Sequence, residues 1–144
     1  MYQKILCLSI VMLSFLVLVG VVSADINLTE CLGDNVTSGE TYILQGDLYH
    51  NASVLDDRCF DLDGDNNIII DCNGYSMIGN GSGSDYGFMV RGSASGNLIQ
   101  NCNIYNFSDS IYGSGSGSLQ IINNSIYSSS SHGIYLRNGG NNLI

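Results

Sequence analysis

Apolar residues along this chain fall into two regimes. Residues 5–22 form one almost unbroken apolar run, whereas beyond residue 25 the apolar positions come in groups of three to six, separated by spacers dense in Gly, Ser and Asn. The second regime carries no stripe with a 3.6-residue period. Helices are therefore disfavoured there, and short strands joined by polar turns are expected. The groups also recur. Asp71-Cys72-Asn73-Gly74-Tyr75, Asn101-Cys102-Asn103-Ile104-Tyr105 and Asn123-Asn124-Ser125-Ile126-Tyr127 share the pattern (Asp/Asn)-x-(Asn/Ser)-x-Tyr. Each has an isoleucine two residues earlier (Ile69, Ile99, Ile121), and the last two copies are 22 residues apart. A second series, Gly87-Phe88-Met89-Val90, Ser110-Ile111-Tyr112-Gly113 and Gly133-Ile134-Tyr135-Leu136, returns every 23 residues, with Cys59-Phe60-Asp61-Leu62 as its earlier member.

Each repeat holds an apolar segment, a β-branched segment and a third short segment around the tyrosine, which makes three strands per repeat. A sandwich of hairpins gives no reason for the same residue types to return at a fixed interval. A coil with one rung per repeat does, because equivalent residues then stack about 4.8 Å apart in parallel register. The reading is an all-β fold, a right-handed parallel β-helix of three strands per rung with a repeat of 22–23 residues. Ile69, Ile99 and Ile121 are expected as an inward ladder, and Tyr75, Tyr105 and Tyr127 as a ladder of packed rings. Asn101 and Asn123 are expected to bond along the stack, with the acidic Asp71 interrupting that ladder. One rung cannot bury enough to fold alone, so roughly three are the minimum.

The leader region sets the expected compartment. Lys4 ahead of the apolar run, followed by the small residues Val22, Ser23 and Ala24, reads as a secretory signal helix over residues 1–24, with Asp25 the first mature residue. An uncleaved membrane anchor is the alternative, since the run approaches the length of a bilayer span. Cys7 lies inside the run and belongs to the signal core. Residues 25–58 are expected to form the N-terminal cap and first coil, and residues 59–144 the rungs. Asn141-Asn142-Leu143-Ile144 reads as the start of another strand, so the rungs are expected to be truncated at the C-terminus.

Export changes the meaning of the composition. Beyond residue 24, three arginines (Arg58, Arg91, Arg137) face thirteen acidic residues, a formal charge of −10, which disfavours nucleic acid and anionic lipid as partners. Membrane contact is expected only through an uncleaved signal segment. Cys31, Cys59, Cys72 and Cys102 are an even set compatible with two disulfides in three possible pairings, of which Cys31 with Cys59 would pin the cap to the coil. Asn-x-Ser/Thr triplets begin at Asn27, Asn35, Asn51, Asn80, Asn106 and Asn123, making these the candidate glycosylation sites.

The repeats, in particular Gly133-Ile134-Tyr135-Leu136 and Leu119-Gln120-Ile121-Ile122-Asn123-Asn124-Ser125-Ile126, resemble those of the pectate-lyase-like superfamily. The entry segment, with Cys31, Gly39-Glu40-Thr41-Tyr42-Ile43-Leu44, Cys59-Phe60 and Ile70-Asp71-Cys72-Asn73-Gly74, resembles archaeal cell-surface β-helix proteins. The resemblance implies fold more than activity, because the superfamily hosts lyases, hydrolases, epimerases and surface proteins.

A calcium-dependent lyase would draw on Arg91 and Arg137 with Asp85 and Asp109, which the rungs do not cluster. A polygalacturonase-like hydrolase needs paired aspartates and a Gly-His-Gly element, of which Ser131-His132-Gly133 matches a part. Asp56-Asp57 precedes the coil and is a poor substitute for the carboxylate pair. His132 is expected at a turn, and His50 stands alone. Asp61, Asp63 and Asp65 place carboxylates at alternating positions like a calcium loop, but Asn66 stands where the loop needs Gly and Cys72 where it needs Glu. Calcium is thus at most a weak cofactor candidate, and no catalytic residue is assigned. The expected function is a secreted or cell-surface β-helix protein with a structural or carbohydrate-binding role, its partners carbohydrate or other cell-envelope components. The alternative is a carbohydrate-active enzyme, a polysaccharide lyase or glycoside hydrolase, whose site lies in further rungs. Accessory proteins of nitrous oxide reductase maturation have similar repeats, but no Met/His cluster supports that role here.

Overall fold

The computed structural model describes residues 25–50, 57–81 and 83–144. The signal segment, Asn51 and Asp56 lie outside the described residues. A short strand, β1 (Ile26–Leu28), leads into four successive turns of three strands each. The first turn holds β2 (Thr41–Leu44), β3 (Leu48–Tyr49) and β4 (Arg58–Asp61), and the second β5 (Ile69–Asp71), β6 (Ser76–Ile78) and β7 (Tyr86–Arg91). The third holds β8 (Leu98–Gln100), β9 (Asn103–Tyr105) and β10 (Asp109–Ser114), and the fourth β11 (Gln120–Ile122), β12 (Ser125–Tyr127) and β13 (His132–Arg137). Every strand pairs in parallel with its counterpart one turn away, giving three sheets in the orders β1-β2-β5-β8-β11, β3-β6-β9-β12 and β4-β7-β10-β13. This is the parallel β-helix that the periodicity implies.

Alternation along the short strands sends side chains inward, and three stacked columns of them line the core. The columns are Tyr42, Ile70, Ile99 and Ile121 in the first sheet, Leu48, Met77, Ile104 and Ile126 in the second, and Phe60, Phe88, Ile111 and Ile134 in the third. From Phe88 onward the third column is the 23-residue series read from the sequence, and the Phe60 and Phe88 rings stack with centroids 5.2 Å apart.

Two of the expected ladders shift. Ile70, not Ile69, pairs with Ile99, because Ile68 and Ile70 are both fully buried while Ile69 faces outward. Three consecutive isoleucines hide the parity that alternation would otherwise reveal. Tyr75 is not a member of the tyrosine ladder. Ile78 takes that position, in register with Tyr105. Four residues join β5 to β6 where two join β8 to β9, and the additional residues are absorbed at Asn73 and Gly74, both at positive φ, where Asn and Gly pay least for the left-handed conformation.

Side-chain amides brace the turns. Asn123 donates to Asn101 Oδ1 at 2.7 Å and Asn101 donates to Asp71 Oδ1 at 3.0 Å. Asp71 therefore does not interrupt the ladder but terminates it as an acceptor, which also takes Gln100 Nε2 at 2.8 Å. Partial burial pushes the Asp71 carboxyl up, yet the donors from Asn101, the Asn73 backbone and Gln100 outweigh it and hold the group below the usual carboxylate range. Asn97, fully buried, accepts from the Ile68 N–H and donates to the Asp65 carbonyl, both at 2.9 Å, thereby tying the third turn to the second. Disulfides join Cys31 to Cys59 and Cys72 to Cys102. The first fastens the segment after β1 to β4, where Leu32 and Gly33 also donate to the Cys59 carbonyl.

Candidate functional site

The six-residue strands of the third sheet carry most of the charged and aromatic side chains on its outer surface. Asp61, Met89, Tyr112 and Tyr135 form one register column. The Tyr112 and Tyr135 rings stack at 5.5 Å, and Tyr86 meets Tyr112 edge-on at 5.6 Å. Burial, then the carboxylates of Asp109 and Asp57, push the Tyr86 hydroxyl above its ordinary value. At one end of this surface Arg58 bonds both Asp57 and Asp61, and Arg91 bonds Asp61 at 3.0 Å and Asp63 at 3.3 Å. Burial works against the Arg58 charge, but the hydrogen bonds to Asp61 and Asp57 prevail and hold its pKa above the ordinary value. Two of the three arginines are thus neutralised in place.

At the start of the same sheet, Asp109 and His132 are register neighbours. His132 lies in β13 and not at a turn, a correction that follows from its pairing with Asp109. Asp109 Oδ1 and Ser131 Oγ both lie 2.8 Å from the same ring nitrogen, Nδ1. A serine nucleophile activated by histidine needs the hydroxyl on one ring nitrogen and the carboxylate on the other. This geometry therefore does not make a Ser-His-Asp relay. It fixes the orientation of a half-exposed ring whose Nε2 has no hydrogen-bond partner among the described residues.

The other candidate groups are dispersed. Asp61 is taken by two guanidinium groups, Asp63 by Arg91, and Asp65 accepts from Ser38 Oγ at 2.9 Å on a different side. They do not converge on a cation, and among the described residues no group of three His, Cys, Asp or Glu side chains could hold a metal ion. The lyase set also separates, since Asp109 pairs with His132, Arg91 with Asp61, and Arg137 stands exposed at the end of β13. Among the sequons, Asn27 accepts from Gln45 Nε2, Asn35 donates to the Leu32 carbonyl and Asn106 to the Gly79 carbonyl, while Asn123 belongs to the amide ladder.

Asp85 belongs elsewhere, and here sequence reasoning missed a pair. His50 does not stand alone: its Nδ1 lies 2.5 Å from Asp85 Oδ1 with both side chains buried. The two groups face each other in the core without conventional hydrogen-bond geometry. Asp85 Oδ2 accepts from the Asn80 N–H, and its carbonyl from Ser108 and Asp109. Gly79 makes room for it, because a Cβ there would lie 2.7 Å from Asp85 Oδ2 and from the Phe107 ring. No local signal marks a pair 35 positions apart across a turn of irregular length.

A second aromatic column runs outside the second sheet, where Tyr49, Ile78, Tyr105 and Tyr127 are in register. Tyr105 and Tyr127 stack at 4.8 Å and 11°. Ser76, Asn103 and Ser125 form the neighbouring outward column.

Among protein families, the one described as right handed beta helix region matches residues 58–144, more than half of the chain. No curated protein and no solved structure matches.

Proposed function

The chain belongs to the right-handed β-helix family, and on that premise we propose that it is an exported, cell-surface protein whose stiff stack of rungs serves a structural role and binds carbohydrate. The observation that carries this reading is the pair of outward tyrosine columns along the coil, on the second and third sheets. Rings with one apolar body and one polar tip suit pyranosides, which present C–H faces and hydroxyl rims. The likeness of the repeats to the pectate-lyase-like superfamily, and of the entry segment to archaeal surface proteins, supports an envelope setting. The N-terminal signal pattern supports export, with cleavage after Ala24.

Two experiments test the proposal. Intact mass of the exported protein should correspond to a chain beginning at Asp25. Retention of the full leader in the membrane fraction would replace the secreted form with an anchored one. A glycan array probed with purified protein should give hits confirmed in solution, and the absence of binding across all glycan classes would remove the carbohydrate role.

A carbohydrate-active enzyme is the second reading, favoured by one observation. Asp109 orients His132 through Nδ1 and leaves Nε2 free beside Tyr135, whose ring centroid is 4.8 Å from the imidazole. An oriented imidazole is a usable base. Release of reducing ends or unsaturated products from any bound glycan, lost in His132→Ala, would favour this reading over the structural one.

A further inference from the structure

We propose that the break in the second sheet's tyrosine column, at Ile78, is a slot that takes one ring of an uncharged polysaccharide between Tyr49 and Tyr105. The proposal rests on the carbohydrate-binding reading above and names the place and the ligand class.

The slot follows from register. Tyr49, Ile78, Tyr105 and Tyr127 occupy equivalent positions in four consecutive turns, alternating with inward Leu48, Met77, Ile104 and Ile126. Where two tyrosines are neighbours, Tyr105 and Tyr127, their rings close on each other at 4.8 Å, so neither offers its inner face to a ligand. Where the neighbour is Ile78, no ring fills the interval. Tyr105's other face looks across Ile78 toward Tyr49, two strand spacings away, or roughly 10 Å. A saturated six-membered ring sandwiched between two aromatic faces needs van der Waals contact of about 4 Å on each side plus its own pucker, which that interval supplies. Tyr49 is 71% exposed, the most exposed aromatic among the described residues, and Ile78 forms the floor.

Charge selects the ligand class. The strands of the second sheet contain no lysine or arginine. Asp47 stands beside the slot, its Oδ1 accepting from the Ser76 N–H at 2.8 Å and its charge acting, after burial and with Tyr127 and Tyr49, to raise the Tyr105 hydroxyl. The second oxygen of Asp47 suits a sugar hydroxyl and repels a uronate. The net charge of −9 over the chain points the same way. Ser76, Asn103 and Ser125 add a neutral row of donors and acceptors alongside. Because glycosidic bonds leave a pyranose close to its ring plane, a chain with one ring sandwiched in the slot would cross the column rather than follow the coil axis.

Isothermal titration of the full protein against neutral hexasaccharides (cello-, xylo- and manno-oligomers) and oligogalacturonate tests this. Two variants accompany it. Tyr49→Ala removes one wall. Ile78→Tyr fills the slot with a ring that the next two turns already accept at this position, so it is expected to keep its parent's far-UV spectrum and melting temperature. The expected result is binding of at least one neutral oligomer, weakened tenfold or more by either variant, with no binding of oligogalacturonate. Neutral binding untouched by Ile78→Tyr would overturn the slot while leaving the carbohydrate reading in place. So would binding confined to oligogalacturonate. Failure of every oligomer and every array glycan to bind would remove both.

Discussion

Replacing Asn97 by alanine removes a brace whose two bonds differ in what they leave behind. The Asn97 side chain is 1% exposed and bridges the Ile68 N–H and the Asp65 carbonyl, each at 2.9 Å. Ile68 is fully buried, so its N–H would be stranded at a cost of about 1–3 kcal/mol, whereas the half-buried Asp65 carbonyl can be rehydrated and forfeits about 0.5–1.5 kcal/mol. The expected loss is about 2–4 kcal/mol, a large share of the roughly 5–15 kcal/mol that holds a domain together. Asn124 offers an internal comparison. It makes the same two kinds of bond, to the Cys102 N–H and the Ile99 carbonyl at 2.9 Å, but from a half-exposed position where water can take over. Its alanine variant should lose about half as much. Equilibrium urea unfolding followed by far-UV circular dichroism, with disulfides intact, should lower the midpoint of Asn97→Ala by about 1–2 M at a slope of about 2 kcal/mol/M. A loss below 0.5 kcal/mol, or one smaller than that of Asn124→Ala, would refute the claim that buried amides tie the turns together.

Other perturbations reach different parts of the stack. Asp85→Asn disturbs the buried contact with His50 and should cost about 1–3 kcal/mol in the same unfolding assay, and an unchanged midpoint would show that the contact contributes nothing. Opening the Cys31–Cys59 link by paired serine substitution releases a loop with a sequence separation of 28, for an expected loss of about 3–4 kcal/mol from chain entropy, read as a fall in melting temperature. Asp71 titrates below its unfolded value of about 3.9, so its contribution is complete above that pH and is lost as pH falls through the lower folded value. The acid limb of stability should therefore be shallower in Asp71→Asn, and an identical limb would discount the amide ladder. Gly87→Ala would place a Cβ 2.5 Å from the Ser110 carbonyl oxygen and should destabilise by more than 1 kcal/mol, which thermal melting would detect.

What could be read from the chain was whatever repeated without interruption. From Phe88 through Ile111 to Ile134 the column follows an uninterrupted 23-residue interval, so spacing sets its register there. Ile68, Ile69 and Ile70 present no alternation to read, so the sequence does not distinguish the inward Ile70 from Ile69. Tyr75 matches the tyrosine pattern in sequence but not in space, because the positive-φ pair Asn73-Gly74 lengthens one turn and moves every later position in that turn off the repeat. Asp71 reads as a disruption when considered as a charge, and as a terminator once its three donors are seen. His50 and Asp85 are 35 positions apart, an interval that matches neither the 22- nor the 23-residue repeat, so nothing in their spacing pairs them. Both tyrosine columns were accessible in part, but the gap at Ile78, on which the slot depends, appears only when the true register replaces Tyr75 with Ile78.

The register of the stacked turns underlies the core, the amide braces and both tyrosine columns, and methyl nuclear Overhauser contacts in solution test it most directly. With isoleucine and methionine methyls labelled, continuous contacts are expected along Ile70, Ile99 and Ile121 and along Met77, Ile104 and Ile126. Ile69 should give no contact to Ile99. A contact series linking Ile69 to Ile99, or the absence of any between Met77 and Ile104, would contradict the coil as described.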